Sequence, residues 1–188
     1  MKQKLHILQI NNLPDGISYD NIKKELKLNN NKQGPINIKG NEFFFKRNDI
    51  FSNNDKEELL YQYKWLVETK KILEESVPKT NIFLKIGEIY GYIMEKINAN
   101  TLLEFLNLNK HKSVNDSLDI FNQIKIKINK LHNKGIAHGD LDESNILINK
   151  KNQVIFIDPY KHNTFEETKK DDNERLKMLE KILILEKR

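Results

Sequence analysis

One stretch restricts the choice of fold more than any other: His138-Gly139-Asp140-Leu141-Asp142-Glu143-Ser144-Asn145, with Ile155-Phe156-Ile157-Asp158 ten residues further on. It sets an Asp, an Asn five residues later and a second Asp at the end of an apolar run. Two carboxylates and an amide make a poor core. They make a good site for Mg²⁺, which takes hard oxygen ligands and is held by one or two carboxylates together with substrate phosphates. The remaining carboxylate can orient an attacking hydroxyl and accept its proton. The flanks supply a frame. Leu131 to Ala137 predicts a helix end, a Gly135 stop and a short strand. Ile146-Leu147-Ile148 and Val154-Ile155-Phe156-Ile157 predict a hairpin of two buried strands around Asn149-Lys150-Lys151-Asn152.

The pattern resembles the catalytic loop and metal-binding strand of the protein-kinase-like superfamily. There His-x-Asp-x-x-x-x-Asn is followed by a hairpin and by the Asp of Asp-Phe-Gly. The resemblance implies an α+β fold with two lobes in a single kinase-like domain over residues 1–188. The first lobe, about 1–95, would hold a sheet and a long helix. The second, 96–188, would be short and mostly helical.

Composition narrows the classes. The chain has 38% hydrophobic and 31% charged residues and a net charge of +5, which favours acidic partners such as nucleotides. Its Lys residues are scattered among Glu and Asp, the pattern of a solvated surface, so nucleic acid enters only indirectly. With no Cys, disulfides and Cys-ligated metals are excluded, and the five His show no zinc-ligand spacing. No apolar run approaches the roughly 18 residues needed to span a membrane. Leu5 to Ile10 is too short for a signal peptide. The expectation is a soluble cytoplasmic protein, or one delivered into a host cell by a dedicated apparatus.

The N-terminal half can be laid on the family's remaining parts. Leu5 to Ile10 suggests an extra strand and Pro14-Asp15-Gly16 a turn. Residues 22–46 suggest a strand, with Leu26 and Leu28 alternating with Lys, then a loop and a hairpin. On the family's G-x-G-x-x-G-x-V phosphate loop, Asn29 and Asn31 take the first two Gly positions, Gly34 the third and Ile36 the Val. Asn is the side chain that best tolerates positive φ. Phe43-Phe44-Phe45-Lys46 is an apolar strand ending in a cation, and the resemblance gives Lys46 the role of anchoring ATP phosphates. Asp55 to Glu75 is a long helix with a cap at Asn53, Asn54 or Asp55, and apolar residues on two faces. It should carry the Glu that pairs with Lys46. Glu68, ten residues before Pro78, is preferred; Glu58 is the rival.

Ile82 to Ile86 and Tyr90 to Met94 predict two further strands. Glu95-Lys96-Ile97-Asn98 is placed as the hinge, where adenine would bond to backbone at Glu95 and Ile97, with Met94 at the back of the pocket. Thr101 caps a short helix, Leu102 to Leu108, and a long helix runs from Val114 or Ser117 to His132. After Asp158 come Pro159-Tyr160, a polar run from Lys161 to Asp172 and one amphipathic helix, roughly Asn173 to Glu186. Only 30 residues follow Asp158, too few for the usual activation segment and helical platform. Pro159 fixes φ and argues against a flipping switch there.

Two details narrow the resemblance. Gly139 replaces the Arg that precedes the catalytic Asp in many regulated kinases, and Asp142 stands where Ser/Thr kinases usually carry Lys. This HGDLxxxN form is similar to small or atypical branches: the kinase of the tRNA-modifying complex, lipopolysaccharide core sugar kinases, aminoglycoside-type phosphotransferases and OspG-type minimal effector kinases. The implied activity is ATP- and Mg²⁺-dependent transfer of the γ-phosphoryl group to a hydroxyl, most simply on a protein Ser or Thr. Asp140 would be the base, Asn145 and Asp158 the metal ligands, and His138 a structural tie near Asp158. The alternatives are a small-molecule or sugar acceptor, and a kinase-shaped binding module that works through a protein partner.

Overall fold

The computed structural model describes residues 5–10, 16–28, 33–47, 55–86, 89–108 and 114–185. Asn29 and Asn31 of the expected phosphate loop, and Asn53 and Asn54 of the expected cap, lie outside them. The chain divides into two compact units. Residues 1–67 and 78–96 form the first; residues 68–77 and 97–188 form the second.

The first unit is built on a five-stranded antiparallel sheet. Its strands are β1 (Leu5–Ile10), β2 (Gly34–Ile38), β3 (Asn41–Arg47), β4 (Thr80–Ile86) and β5 (Ile89–Glu95), in the order β1-β4-β5-β3-β2. The extra strand expected at Leu5 to Ile10 is therefore real and lies beside β4. One face of the sheet carries Ile36, Ile38, Phe43, Phe45, Ile82, Leu84, Ile86 and Ile93, which close with Ile17, Ile22 and Leu26 into one core cluster. Ile22 and Leu26 belong to an α-helix, α1 (Tyr19–Leu28), which packs on β2.

That helix corrects the expected strand at residues 22–28. Two Leu at alternate positions cannot distinguish the two periods, whereas Ile22 and Leu26 at i, i+4 share one helix face, each 1% exposed. Ser18 and Asn21 also bond reciprocally at the entry: the Ser18 N–H donates to Asn21 Oδ1 at 2.9 Å, and the Asn21 N–H to Ser18 Oγ at 3.4 Å. A capping pair of this kind starts a helix.

The opposite sheet face is aromatic and packs on α2 (Asp55–Leu73). Tyr63 lies 5.5 Å from Phe83 and 6.2 Å from Tyr92 between ring centroids, and the Tyr92 hydroxyl donates to Gln62 Oε1. A 3₁₀ turn, Glu74–Ser76, ends this run in place of the last helical residues expected up to Glu75.

The second unit holds a three-stranded sheet, β6 (Ala99–Thr101), β7 (Ile146–Asn149) and β8 (Val154–Phe156), in that order. Its helices are α3 (Leu102–Leu108), α4 (Val114–His132) and α5 (Phe165–Glu180), followed by a π turn, Lys181–Leu185. Thr101 and Glu104 form a reciprocal cap on α3. Ile120, Ile124, Ile128 and Leu131 of α4 are fully buried at helical spacing. Helix α5 starts eight residues earlier than the expected Asn173. Thr164 and Glu167 form a capping box at its start, a signal hidden inside a run that looked merely polar. The expected short strand at Ile136-Ala137 joins no ladder. Among the described residues no helix is long and apolar enough to cross a membrane.

Candidate functional site

Helix α4 delivers the chain to the 138–145 loop. Its last turn closes through Lys134 N–H to Leu131 O at 2.8 Å and Gly135 N–H to His132 O at 3.0 Å. Gly135 takes φ +72°, the left-handed conformation that lets the chain turn away from a helix end. Ile136 and Ala137, which join no ladder, then lead to His138.

His138 is completely buried. Its Nδ1 accepts from the Asp140 N–H at 3.2 Å, so the ring proton sits on Nε2, which donates to Ile157 O at 2.9 Å. Burial holds the imidazole below its ordinary pKa against the opposing pull of Asp172, the Ile157 carbonyl and Asp158. A neutral ring bonded at both nitrogens is a tie between the loop and the residue before Asp158, as expected of it, and no proton carrier. The Tyr160 N–H adds a second tie, to His138 O at 2.9 Å.

The loop then folds on its own functional groups. The Asn145 N–H donates to Asp142 O at 2.9 Å, making a turn. The Asn145 amide donates to both Asp140 O at 3.1 Å and Asp140 Oδ2 at 2.8 Å. This fixes the Asp140 carboxylate and leaves Asn145 Oδ1 as an acceptor for a cation. Asn145 O in turn accepts from the Ile157 N–H at 3.0 Å, which puts the Asn145 backbone next to the strand end that carries Asp158. Asp158 is half-buried and holds φ +54°, a backbone conformation that is uncommon outside Gly and costs of order 1–3 kcal/mol.

Asp140 titrates above the ordinary carboxylate range. Burial is the main cause, followed by the charge and hydrogen bond of Asp142; Asn145 and Arg175 pull the other way. Asp142 itself is bridged by Arg175 of α5, Nη1 to Oδ1 at 2.8 Å.

Sequence reasoning missed the residue that anchors the whole loop. Asp172, on α5 and completely buried, accepts from the His138 N–H at 2.8 Å, the Gly139 N–H at 2.7 Å and His132 Nε2 at 2.8 Å. Two backbone amides of the loop and the end of α4 are thus tied to one carboxylate. The signal that could have found it is the Thr164-x-x-Glu167 cap, which starts α5 early enough to carry Asp172 inside the helix. Gly139, at φ +79°, has the Tyr160 carbonyl and the Thr168 methyl group so close that no Cβ fits. An Arg there is excluded by packing.

The remaining expected residues fall as follows. Lys46 lies on β3 opposite Tyr92 of β5, and Phe44 opposite Met94, so Lys46 shares the α2-covered face with the buried Met94. Gly34 is the first residue of β2 with φ +144°. Ile36 is buried in the α1 cluster, on the other face of the sheet from Lys46. Glu95 ends β5 with Oε2 on the Lys79 N–H, and Ile97 follows the boundary of the two units. Glu68 is exposed, bridged to Lys71 at 2.9 Å and belongs to the second unit; Glu58 is exposed and accepts from Gln62 at 3.4 Å. The polar side chains buried on α2 are Gln62 and Thr69.

Among the described residues no three His, Cys, Asp or Glu converge on one point. The donor set at hand, one amide oxygen and one carboxylate, fits a cation that completes its shell with phosphate oxygens and water.

A helix leading to a self-closed Asp–Asn loop, a hairpin and a strand-end Asp is the local order that the 138–158 sequence pattern predicts. The family model for protein tyrosine and serine/threonine kinases matches residues 46–181, and the chain belongs to that family. It is 25% identical over 137 residues to the MAP kinase-interacting serine/threonine-protein kinase 2 of Xenopus laevis, covering 73% of this chain and 27% of that protein. Over 70 residues it is 31% identical to the serine/threonine-protein kinase nekl-2 of Caenorhabditis elegans, covering 37% of this chain and 20% of that one. The matches thus span about a fifth to a quarter of these relatives' lengths. Membership implies a nucleotide, ATP, and a divalent cation as the family's working partners.

Proposed function

We propose that this chain is a minimal Ser/Thr protein kinase of the HGDLxxxN kind, transferring the γ-phosphoryl group of ATP to a protein hydroxyl in the cytoplasm. The observation that supports this best is the Asn145 amide closing on Asp140 while the Asn145 carbonyl is tied beside Asp158. The loop thereby carries a fixed base and one cation ligand, beside the strand end that carries the other. The acceptor oxygen forms a bond to Pγ as the bond from Pγ to the bridging β,γ-oxygen breaks. ADP leaves, and Asp140 orients the acceptor hydroxyl and takes its proton. Asn145 Oδ1 and the Asp158 carboxylate would hold Mg²⁺, which when bound neutralises charge on the phosphates. Catalysis in this class is positioning and electrostatic stabilisation, and the fixed loop supplies the first of these.

In the first unit Lys46 is proposed to contact the α- and β-phosphates, with Glu68 as its partner in the family order. The Glu58–Gln62–Tyr92 contacts end on the cross-strand neighbour of Lys46 and make Glu58 the second candidate. Gly34 with Asn29 and Asn31 is the proposed phosphate loop, and the backbone at Glu95 and Ile97 the adenine contact. The packing of Ile36 under α1 argues against a contact with nucleotide for that side chain.

The test is calorimetric ATP binding in the presence and absence of Mg²⁺. Wild type should bind more tightly with Mg²⁺, and Asp158→Ala should lose that difference while keeping a native circular dichroism spectrum. Equal Mg²⁺ dependence in the two proteins would remove Asp158 from the metal site.

A further inference from the structure

Residues 135–149 contain Asp140, Asp142 and Glu143 and no Lys or Arg. A loop of this charge is a poor surface for a polyphosphate. Asp142 adds a second carboxylate to the turn, two residues after Asp140. The Asn145 amide is bonded to Asp140. The cation that meets the loop comes from elsewhere in the chain. Arg175 lies three residues after Asp172 on α5, on the same helix face. That face therefore docks the loop at two levels. Asp172 holds the backbone at 138–139 from beneath, and Arg175 holds the Asp142 side chain. The ion pair is 2.8 Å long with about a third of each side chain exposed, 34% and 38%, so it is neither sealed in the core nor free in solvent. Nη1 of the planar guanidinium makes the contact.

We infer that Arg175 is a positioning residue of the phosphotransfer site: it holds and neutralises the Asp142 carboxylate two residues after Asp140 and supplies the positive charge that the loop itself lacks. The inference rests on the proposed phosphotransferase reading. It assigns α5 a part in the chemistry beyond holding the loop. It also explains how Asp is accommodated two residues after the catalytic Asp: the loop and the helix carry a matched pair, and each member alone is unfavourable.

The experiment compares the full chain as wild type, Arg175→Ala, Arg175→Lys and the double variant Arg175→Ala/Asp142→Asn. Turnover number and KM for ATP are measured with Mg²⁺, and melting temperature alongside. Arg175→Ala should lower kcat about tenfold, with Arg175→Lys between it and wild type. The double variant should return to within about threefold of wild type, because removing the Asp142 charge removes the need for the Arg. A bond that serves only to dock α5 gives the opposite pattern, since the double variant then stays as slow as Arg175→Ala. That result overturns the inference, as does an Arg175→Ala enzyme with wild-type kcat. If wild type transfers phosphate to no acceptor, the proposed activity fails separately, and the inference is read from calorimetric affinity for ATP with Mg²⁺. It then predicts about fivefold weaker binding in Arg175→Ala and recovery in the double variant. Equal affinities overturn it, and a wild type that binds no nucleotide overturns both.

Discussion

Replacing Asp172 with Ala should destabilise the second unit more than any change at the loop itself. The carboxylate accepts three hydrogen bonds, each between 2.7 and 2.8 Å, in a position with no solvent exposure. The substitution leaves two buried backbone N–H groups and one ring nitrogen without their acceptor. Each orphaned buried donor costs about 1–3 kcal/mol, and removing one member of a buried charged cluster costs about 3–5 kcal/mol overall. Total stabilities of about 5–15 kcal/mol make this a large fraction. At roughly 2–4 °C per kcal/mol for a chain of this size, the melting temperature should fall by about 6–20 °C. Asp172→Asn keeps the shape and one acceptor oxygen but turns an amide N–H toward donors, so its loss should be intermediate. Differential scanning calorimetry and urea titration measure both. A shift below about 2 °C for Asp172→Ala would refute the reasoning, because it would mean that water or a neighbouring group replaces the carboxylate without cost.

Other expectations follow from the same geometry. Gly139→Ala should destabilise by at least about 2 kcal/mol in urea titration, since it adds a Cβ at φ +79° against Tyr160 and Thr168. Thr164→Ala should cost about 1 kcal/mol by loss of the α5 capping box, read in the same titration. The buried, neutral His138 has a depressed pKa, so the unfolded chain, with its ring near 6.5, takes up a proton first as pH falls. Its contribution to stability is complete above about pH 6.5 and is lost progressively below it. The urea midpoint of wild type should therefore fall more steeply from pH 7 to pH 5 than that of His138→Gln, and parallel slopes would contradict this.

How much of this was legible in the sequence depended on whether the signal was local. The turn at 138–145 and the hairpin after it were readable because fixed spacings between chemically distinct residues and two apolar runs mark them. The long α2 and α4 helices were readable from sustained periodicity. The errors came where the signal was short or polar. The α1 helix reads as a strand from Leu26 and Leu28 alone, and the pair that decides it, Ile22 and Leu26, stands at helical spacing. The start of α5 was missed because Thr164 to Asp171 is nearly all polar, and a cap motif without apolar neighbours draws little notice. Spacing, through the Thr164-x-x-Glu167 cap, could have put Asp172 inside a helix but not shown what it holds. A carboxylate in a polar run looks solvated, and its role appears only when α5 brings it under the loop. The same holds for Arg175 and Asp142, which are 33 residues apart in the chain. Gly139 was legible as a departure from the family pattern, but its cause, the chain at Tyr160 passing over it, is tertiary.

The central claim is that Asp140 is the base of a phosphoryl-transfer site. Its most direct test is transfer of label from γ-labelled ATP with Mg²⁺, comparing wild type with Asp140→Ala, each alone and with a generic protein acceptor. The account predicts label on protein Ser or Thr with wild type and a loss of at least about a hundredfold in the variant. Equal labelling by the two proteins, or no ATP turnover by wild type under any acceptor condition, would contradict it.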